Sequence, residues 1–383
     1  MHGASEINMN SYFAVASPGL ELFTAQELRQ LNHLSLQVEP GGVLFKGGLA
    51  DLYRANLHLR TASRILARLG NFFHASTSVE LRERLAHLPW ERFLTPGQPV
   101  HLRVTCHKSR LYHSGQVARA VSVALEQRLG AATPVVEAGG NSSQPPQLVV
   151  IRLAEDICTV SVDSSGVLLH KRGYRQAVAR APLRETLAAA LLMASGWDQA
   201  SPLLDPFCGS GTIPIEAACM ALGILPGSDR RFAFMDWPGY DDTLWQTIRK
   251  HKPAFPARAI EIFASDRDAG AIEMARANAR RAGVLDAIEF KCQAVSSISP
   301  PSRLGWVVTN PPYGPRLSEG KDLRNLYAQF GNVLRMKCPG WNLAILSCHL
   351  ALFGQMQVQF DTSLKLRNGG LRVMLGKGKV PAN

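Results

Sequence analysis

Leu203-Leu204-Asp205-Pro206-Phe207-Cys208-Gly209-Ser210-Gly211-Thr212-Ile213-Pro214-Ile215-Glu216-Ala217-Ala218 is the stretch that decides the fold. Two apolar residues lead into an acidic one, as at the end of a short buried strand. Gly209 and Gly211 then allow a sharp turn and leave room for close approach to the backbone. From Thr212 onward the composition is helical. A strand, a glycine turn and a helix in that order aim backbone N–H groups and a helix N-terminus at a small ligand. No Lys follows the glycines, so this is not a P-loop. Pro214 stands where the third glycine of the dinucleotide fingerprint belongs, so that motif is incomplete.

Two further stretches repeat the pattern of an apolar strand with a polar residue at its end. Residues 260–264 lead into Ser265-Asp266-Arg267-Asp268, and 306–309 lead into Asn310-Pro311-Pro312-Tyr313-Gly314. Additional strands read at 203–205, 288–292 and 343–346. Residues 356–360 and 371–375 read as a closing hairpin pair. Helices fill the gaps, most clearly over 269–282, so the sheet is mostly parallel. In such sheets ligands lie at the carboxyl ends of the strands, where all three motifs fall. Asp266 follows Asp205 by about 60 residues against about 20 in a dinucleotide fold, so 223–256 reads as an insertion. It holds Phe232, Phe234, Trp237, Tyr240 and Trp245 among several cations, suited to packing over the sheet edge or to stacking on bases.

The ordered trio resembles class I S-adenosylmethionine-dependent methyltransferases that methylate amines. Its wording is similar to a narrower group, the THUMP-domain-containing RNA guanine-N2 methyltransferases of the RlmL N-terminal-unit type (UPF0020), and the likeness covers nearly the whole chain. "PGLELFTAQEL" with "GGVLFKG" resembles the ferredoxin-like module that precedes THUMP in that group. "LHKRGYR" followed by "APLRETLAAALL" resembles the approach to its methylase domain. The implied fold is α/β: a Rossmann-like class I methyltransferase domain with a mostly parallel seven-stranded sheet, preceded by an α+β ferredoxin-like module and a THUMP domain. The expected boundaries are 1–70 for the ferredoxin-like module, 71–165 for THUMP, 166–182 for a basic linker and 183–383 for the methyltransferase domain.

The resemblance implies S-adenosylmethionine as cofactor. Asp205 would take its ammonium, Asp266 its ribose hydroxyls, and Pro206, Phe207, Gly209, Gly211, Thr212, Arg267 and Ala294 would surround it. Pro182, Leu183 and Thr186 would cover the methionine end. Gln293-Ala294-Val295 lacks the acidic residue usual near the adenine, a departure from the pattern. Asn310, Pro311 and Tyr313 are the catalytic candidates: the Asn310 side-chain oxygen and the Pro311 carbonyl would accept the hydrogens of an exocyclic base amine, and Tyr313 would stack on the base.

The front of the chain reads as two small α/β modules. Residues 12–15 and 43–45 are strands, 20–31 is an amphipathic helix, and 49–69 reads as one long helix. Residues 79–88 are helical and 100–106 alternate as a half-exposed strand. A helix over 115–129 and a hairpin over 148–162 follow. Lys108, Ser109, Arg110 and His113 lie at a strand-to-helix junction that resembles the RNA-contacting segment of THUMP, and Lys171, Arg172 and Arg175 are the linker's RNA candidates.

Forty-two Lys and Arg against 30 Asp and Glu leave the 383-residue chain at +12, which favours a polyanionic partner. No apolar run approaches the ~20 residues that span a bilayer, and the start lacks a signal-peptide core. Seven scattered cysteines with no C-x-x-C give neither a zinc site nor a disulfide framework. A cytoplasmic enzyme without a metal is expected. The expected reaction is methyl transfer to guanosine N2 in RNA, with 23S rRNA first and tRNA second. DNA adenine-N6 methylation also fits Asn-Pro-Pro-Tyr, but the first 170 residues show no DNA-reading motif. A non-catalytic RNA-binding protein is opposed by the intact trio, and a nicotinamide dehydrogenase by Pro214.

Overall fold

The computed structural model describes residues 10–33, 35–137, 146–176, 183–250, 260–301, 303–313 and 323–382. Two sheets organise the chain. The front sheet is built from β1 (Asn10–Ala16), α1 (Glu21–Gln30), β2 (Leu36–Glu39), β3 (Gly42–Gly47), α2 (Leu49–His58) and β4 (Ala62–Arg68), then β5 (Phe73–His74), α3 (Ser78–Ala86), β6 (Val100–His107), α4 (Ser114–Leu129), β7 (Gln147–Ala154) and β8 (Ile157–Asp163). Its order is β2-β3-β1-β4-β8-β7-β6, with β5 beside β8. All pairs are antiparallel except β6 and β7.

The two front modules share this sheet. β4 pairs with β8 through Leu66–Asp163, Ala67–Val162 and Arg68–Ser161, so hydrogen bonds run unbroken across the 70/71 boundary. The expected helix over 49–69 is corrected here. It ends at His58, and residues 62–68 form the strand that joins the modules. The break is imposed from a distance. Buried Glu27 accepts hydrogen bonds from the backbone N–H groups of Arg60 (2.7 Å) and Thr61 (3.0 Å), which turns the chain out of the helix.

The second sheet follows α5 (Glu185–Ser195). It contains β9 (Leu203–Asp205), α6 (Thr212–Ala221), α7 (Asp242–Lys250), β10 (Ile262–Asp266), α8 (Ala269–Arg281), β11 (Ile288–Cys292), β12 (Trp306–Thr309), α9 (Arg324–Lys337), β13 (Asn342–Ser347), α10 (Leu350–Gln355), β14 (Phe360–Asn368) and β15 (Leu371–Lys379). The order is β11-β10-β9-β12-β13-β15-β14. β9 to β13 are parallel, and β15 runs antiparallel between β13 and β14. The order reverses between β9 and β12, which opens a crevice at their carboxyl ends. The expected strand over 356–360 is also corrected: α10 runs to Gln355, Met356 is buried at its end, and β14 begins at Phe360.

The aromatic insertion packs into the core of the front sheet. Phe234 stacks on Tyr53 of α2 at 4.4 Å, Trp245 meets the same ring edge-on at 5.8 Å, and Trp237 meets Phe93 edge-on at 4.7 Å. The Trp237 indole N–H donates to Gln147 at 2.9 Å. These rings are buried, so base stacking by the insertion's Phe232, Phe234, Trp237 and Trp245 is excluded. No described helix is long and apolar enough to cross a membrane.

Candidate active site

The reversal point holds a cavity of about 430 Å³. The turn after β9 forms its floor. Asp205 is buried, and its Oδ1 accepts from the Thr309 hydroxyl (2.6 Å) and the Phe207 N–H (3.2 Å). Burial pushes its carboxyl up to about 7 against those two hydrogen bonds, and no described cation offsets it. Asp266, at the end of β10, ties the turn down by accepting from Gly209 N–H (3.0 Å) and Asp268 N–H (3.0 Å).

The two glycines have different tasks. A Cβ on Gly209 would meet nothing within 4 Å, consistent with a backbone that faces the cavity. Gly211 does not line the cavity. Its backbone is left-handed (φ +85°), and a Cβ would stand 3.0 Å from Ala275 of α8, so this glycine admits a neighbouring helix. The contact the structure shows at Gly211 is this packing against α8. Thr186 is likewise buried on α5 and away from the lining, whereas Leu183 lines it. Pro182 lies outside the described residues.

Asp205, Pro206, Phe207, Gly209, Thr212, Asp266, Arg267 and Ala294 all border the cavity, as does Gln293 in the stretch that lacks an acidic residue. Phe207 is fixed by Phe330 of α9, edge-on at 5.1 Å. The lining also includes Asn310, Pro311 and Tyr313, which follow β12, the strand beside β9. The Asn310 Oδ1 is buried without a hydrogen-bond partner among the described residues. An orphaned acceptor of this kind carries a desolvation cost unless a ligand donor meets it. The Tyr313 hydroxyl accepts from Asn368 Nδ2 at 2.9 Å, and burial pushes its phenol up to about 12.

Asn368, Gly369 and Leu371 complete the rim from the β14–β15 turn, where Gly369 (φ +55°) and Gly370 (φ +90°) are both left-handed. The Asn-Gly-Gly triplet is the local signal for that tight turn. Leu326 and Gln329 of α9 also line the cavity. Nothing in their local sequence distinguishes them.

Two RNA candidates of the linker are corrected. The Arg172 guanidinium is buried and paired with Glu216, and it also donates to the Arg60 carbonyl at 2.7 Å. Arg175 is nearly buried, paired with Glu185, and donates to the Leu183 carbonyl at 2.9 Å. It positions the cavity-lining Leu183. Lys171 is exposed. Lys108, Arg110 and His113 are exposed on a loop pinned from inside by Asp156, whose Oδ1 accepts from Arg110 N–H at 2.7 Å. Ser109 is part of that pin: its hydroxyl donates to the His107 carbonyl at 3.1 Å and accepts from Asp156 N–H at 3.1 Å.

A seven-stranded sheet reversing at this cavity, with acidic ends on β9 and β10 and Asn-Pro-Pro-Tyr after β12, defines a class I S-adenosylmethionine-dependent methyltransferase. The residues fit that cofactor: a buried carboxylate lacks a cation, and a glycine turn opens onto the cavity. Comparison with known proteins gives the family. Residues 172–375 match the RMKL-like methyltransferase domain (UPF0020), and residues 11–66 match the RlmL ferredoxin-like domain. The chain belongs to the RMKL-like methyltransferase family. It is 33% identical over 373 residues to "Putative RNA methyltransferase slr0064" of Synechocystis sp., covering 96% of each chain. The crystal structure of SMU.472 complexed with SAH superposes with a TM-score of 0.85 at 32% identity over 98% of both chains. A Listeria monocytogenes protein described as a predicted N6-adenine-specific DNA methylase gives 0.83 at 32% identity over 96% of both.

Proposed function

We propose that the protein transfers a methyl group from S-adenosylmethionine to the exocyclic N2 amine of a guanosine in RNA, with 23S rRNA as the first substrate and tRNA as the second. One observation carries the choice of an amine acceptor: the buried side-chain oxygen of Asn310, a residue of the cavity lining, has no hydrogen-bond partner among the described residues. A base amine is a weak nucleophile because its lone pair is shared with the ring. Asn310 Oδ1 accepts one amine hydrogen and the Pro311 carbonyl the other, which favours a pyramidal nitrogen with its lone pair directed forward. Pro311 and Pro312 stiffen the loop so that both acceptors are preset. Tyr313, fixed by Asn368, bounds the base site. The bound cofactor supplies an electrophilic methyl on a sulfonium. Asp205, the 207–212 turn and Asp266 hold it there, and much of the rate comes from alignment.

The RNA substrate rests on three supports: the RNA-methyltransferase name of the Synechocystis relative, the RlmL-type front domain, and the net charge of +12. We read 71–165 as the THUMP domain, with exposed Lys108, Arg110, His113 and Lys171 contacting RNA phosphates. The scattered cysteines suit a cytoplasmic enzyme.

The test is incubation with methyl-labelled cofactor and, separately, rRNA and tRNA lacking the modification, followed by digestion to nucleosides. Label in N2-methylguanosine from rRNA is the expected result, and label from tRNA alone would move the substrate. Label in N6-methyladenosine, the product that the Listeria relative's name would give, would overturn the guanine assignment.

A further inference from the structure

Past the end of β13 the β14–β15 hairpin continues alone. The last β13–β15 pair is Ser347–Met374, whereas β14 and β15 stay paired through Asn368–Leu371. The free end therefore projects beyond the carboxyl edge of the sheet, beside the cavity. Its two faces differ. Leu366 and Val373 are buried on one face, in a core shared with Ala16 and Leu20 of the front module. Asn368 and Leu371 carry that face into the cavity lining, and Asn368 is tied to the Tyr313 hydroxyl at 2.9 Å.

The other face carries Lys365, Arg367 and Arg372, all exposed. Arg367 and Arg372 are directly opposite one another. Cross-strand partners stand about 4.5–5.5 Å apart at Cβ, and like charges placed so are destabilising. Neither guanidinium has a hydrogen-bond or ion-pair partner among the described residues. The hairpin's one acidic residue, Asp361, lies at its far end, 3.8 Å from Lys377. Charges on an edge strand discourage pairing with another chain, and Lys365 and Arg367 of β14 do that. Arg372 is on β15, an inner strand, and setting it opposite Arg367 adds a repulsion that edge protection does not need. The front module abuts the same hairpin: a Cβ on Gly19 would stand 2.4 Å from the Lys365 carbonyl oxygen. An RNA held by both the front module and the cavity has this hairpin on its path.

We propose that Arg367 and Arg372 form a phosphate clamp beside the cavity, taking the RNA backbone next to the target nucleotide. Two exposed forks of N–H donors with no counter-charge match the oxygens and charge of a phosphodiester. The bound phosphate removes the repulsion between the two guanidiniums. Asn368 and Leu371, the residues next along each strand, line the cavity, so the clamp holds the nucleotide by its backbone while its base is turned inward. The RNA source of the phosphate rests on the reading given above; the clamp itself rests on the hairpin.

The test compares full-length wild type with Arg367→Gln/Arg372→Gln. Binding of a short single-stranded RNA, and of a DNA of matching sequence, is followed against salt. Methyl transfer to rRNA lacking the modification is measured in parallel. The double variant should lower the slope of log affinity against log salt by about 0.7, the effect of one lost phosphate contact on a single strand. Its kcat/KM for rRNA should fall about ten-fold or more, with kcat itself reduced, while cofactor affinity stays unchanged. Its thermal midpoint at low salt should be no lower than that of wild type, because the repulsion is gone. Arg367→Lys/Arg372→Lys keeps the charge and loses the forks, so it should keep the slope and lose part of the rate. Weaker RNA binding with kcat unchanged would overturn the placement beside the target nucleotide. No binding of either probe by wild type, or a slope unmoved in the Gln variant, would overturn the clamp. Methylation of neither rRNA nor tRNA, with the DNA slope lowered in the Gln variant, would sink the RNA reading and leave the clamp standing.

Discussion

Asp205 is a buried carboxyl that is held neutral or needs a cation beside it. Its carboxyl is pushed up to about 7 by burial, against an unfolded value of about 3.9. A raised folded value favours the neutral form. Its contribution to stability is therefore present below about pH 4 and lost as pH rises through 7. Without cofactor, Asp205→Asn should be more stable than wild type at pH 8 and equal to it at pH 4, read by thermal melting at both values. Binding of a cationic ammonium needs the carboxylate, so cofactor affinity should fall about ten-fold per unit below pH 7 and level off above it. Calorimetric titration at pH 6 and 8 checks this, and a flat profile in wild type would refute it. Asn310 is the complementary test. Asn310→Ala should cut kcat by about 10²–10³, the scale of one lost preorganised contact, with cofactor binding unchanged in equilibrium dialysis. Equal loss of both would mean that the residue only shapes the cavity.

Among the elements, α6 and α8 set the floor of the site through Gly211. Gly211→Val adds a side chain at φ +85° and at 3.0 Å from Ala275. It should destabilise by about 1–3 kcal/mol and weaken cofactor binding by shifting the turn, as denaturant unfolding and binding measurements would show. The 203–218 stretch was legible because its signals are local: two apolar residues, an acid, two glycines and a helical run. The purposes of the two glycines were not, since only the packing of α8 separates the one that lines the cavity from the one that abuts Ala275. β4 was misread for a related reason. Its Ala, Leu and Arg residues favour helix locally, and the hydrogen bonds that stop the helix come from Glu27, 33 residues away from Arg60. Arg172 and Arg175 read as free cations because Glu216 and Glu185 cannot be matched to them by sequence spacing alone.

In the whole molecule, the catalytic sheet and the front sheet hold one another. The insertion leaves the catalytic domain after α6 and places Phe232, Phe234, Trp237 and Trp245 in the core around Tyr53. Heating should therefore give one cooperative transition, and Trp237→Ala should lower its midpoint through the loss of about 3–5 kcal/mol of stability, the cost of a lost core aromatic. Two resolved transitions in scanning calorimetry would show that the halves are independent. The β4–β8 pairing bears on dissection of the chain. A fragment cut at 70/71 would end in a bare β4 edge, its N–H and C=O groups open to any passing strand. Such a piece would be recovered as aggregates or swapped dimers rather than as a monomer.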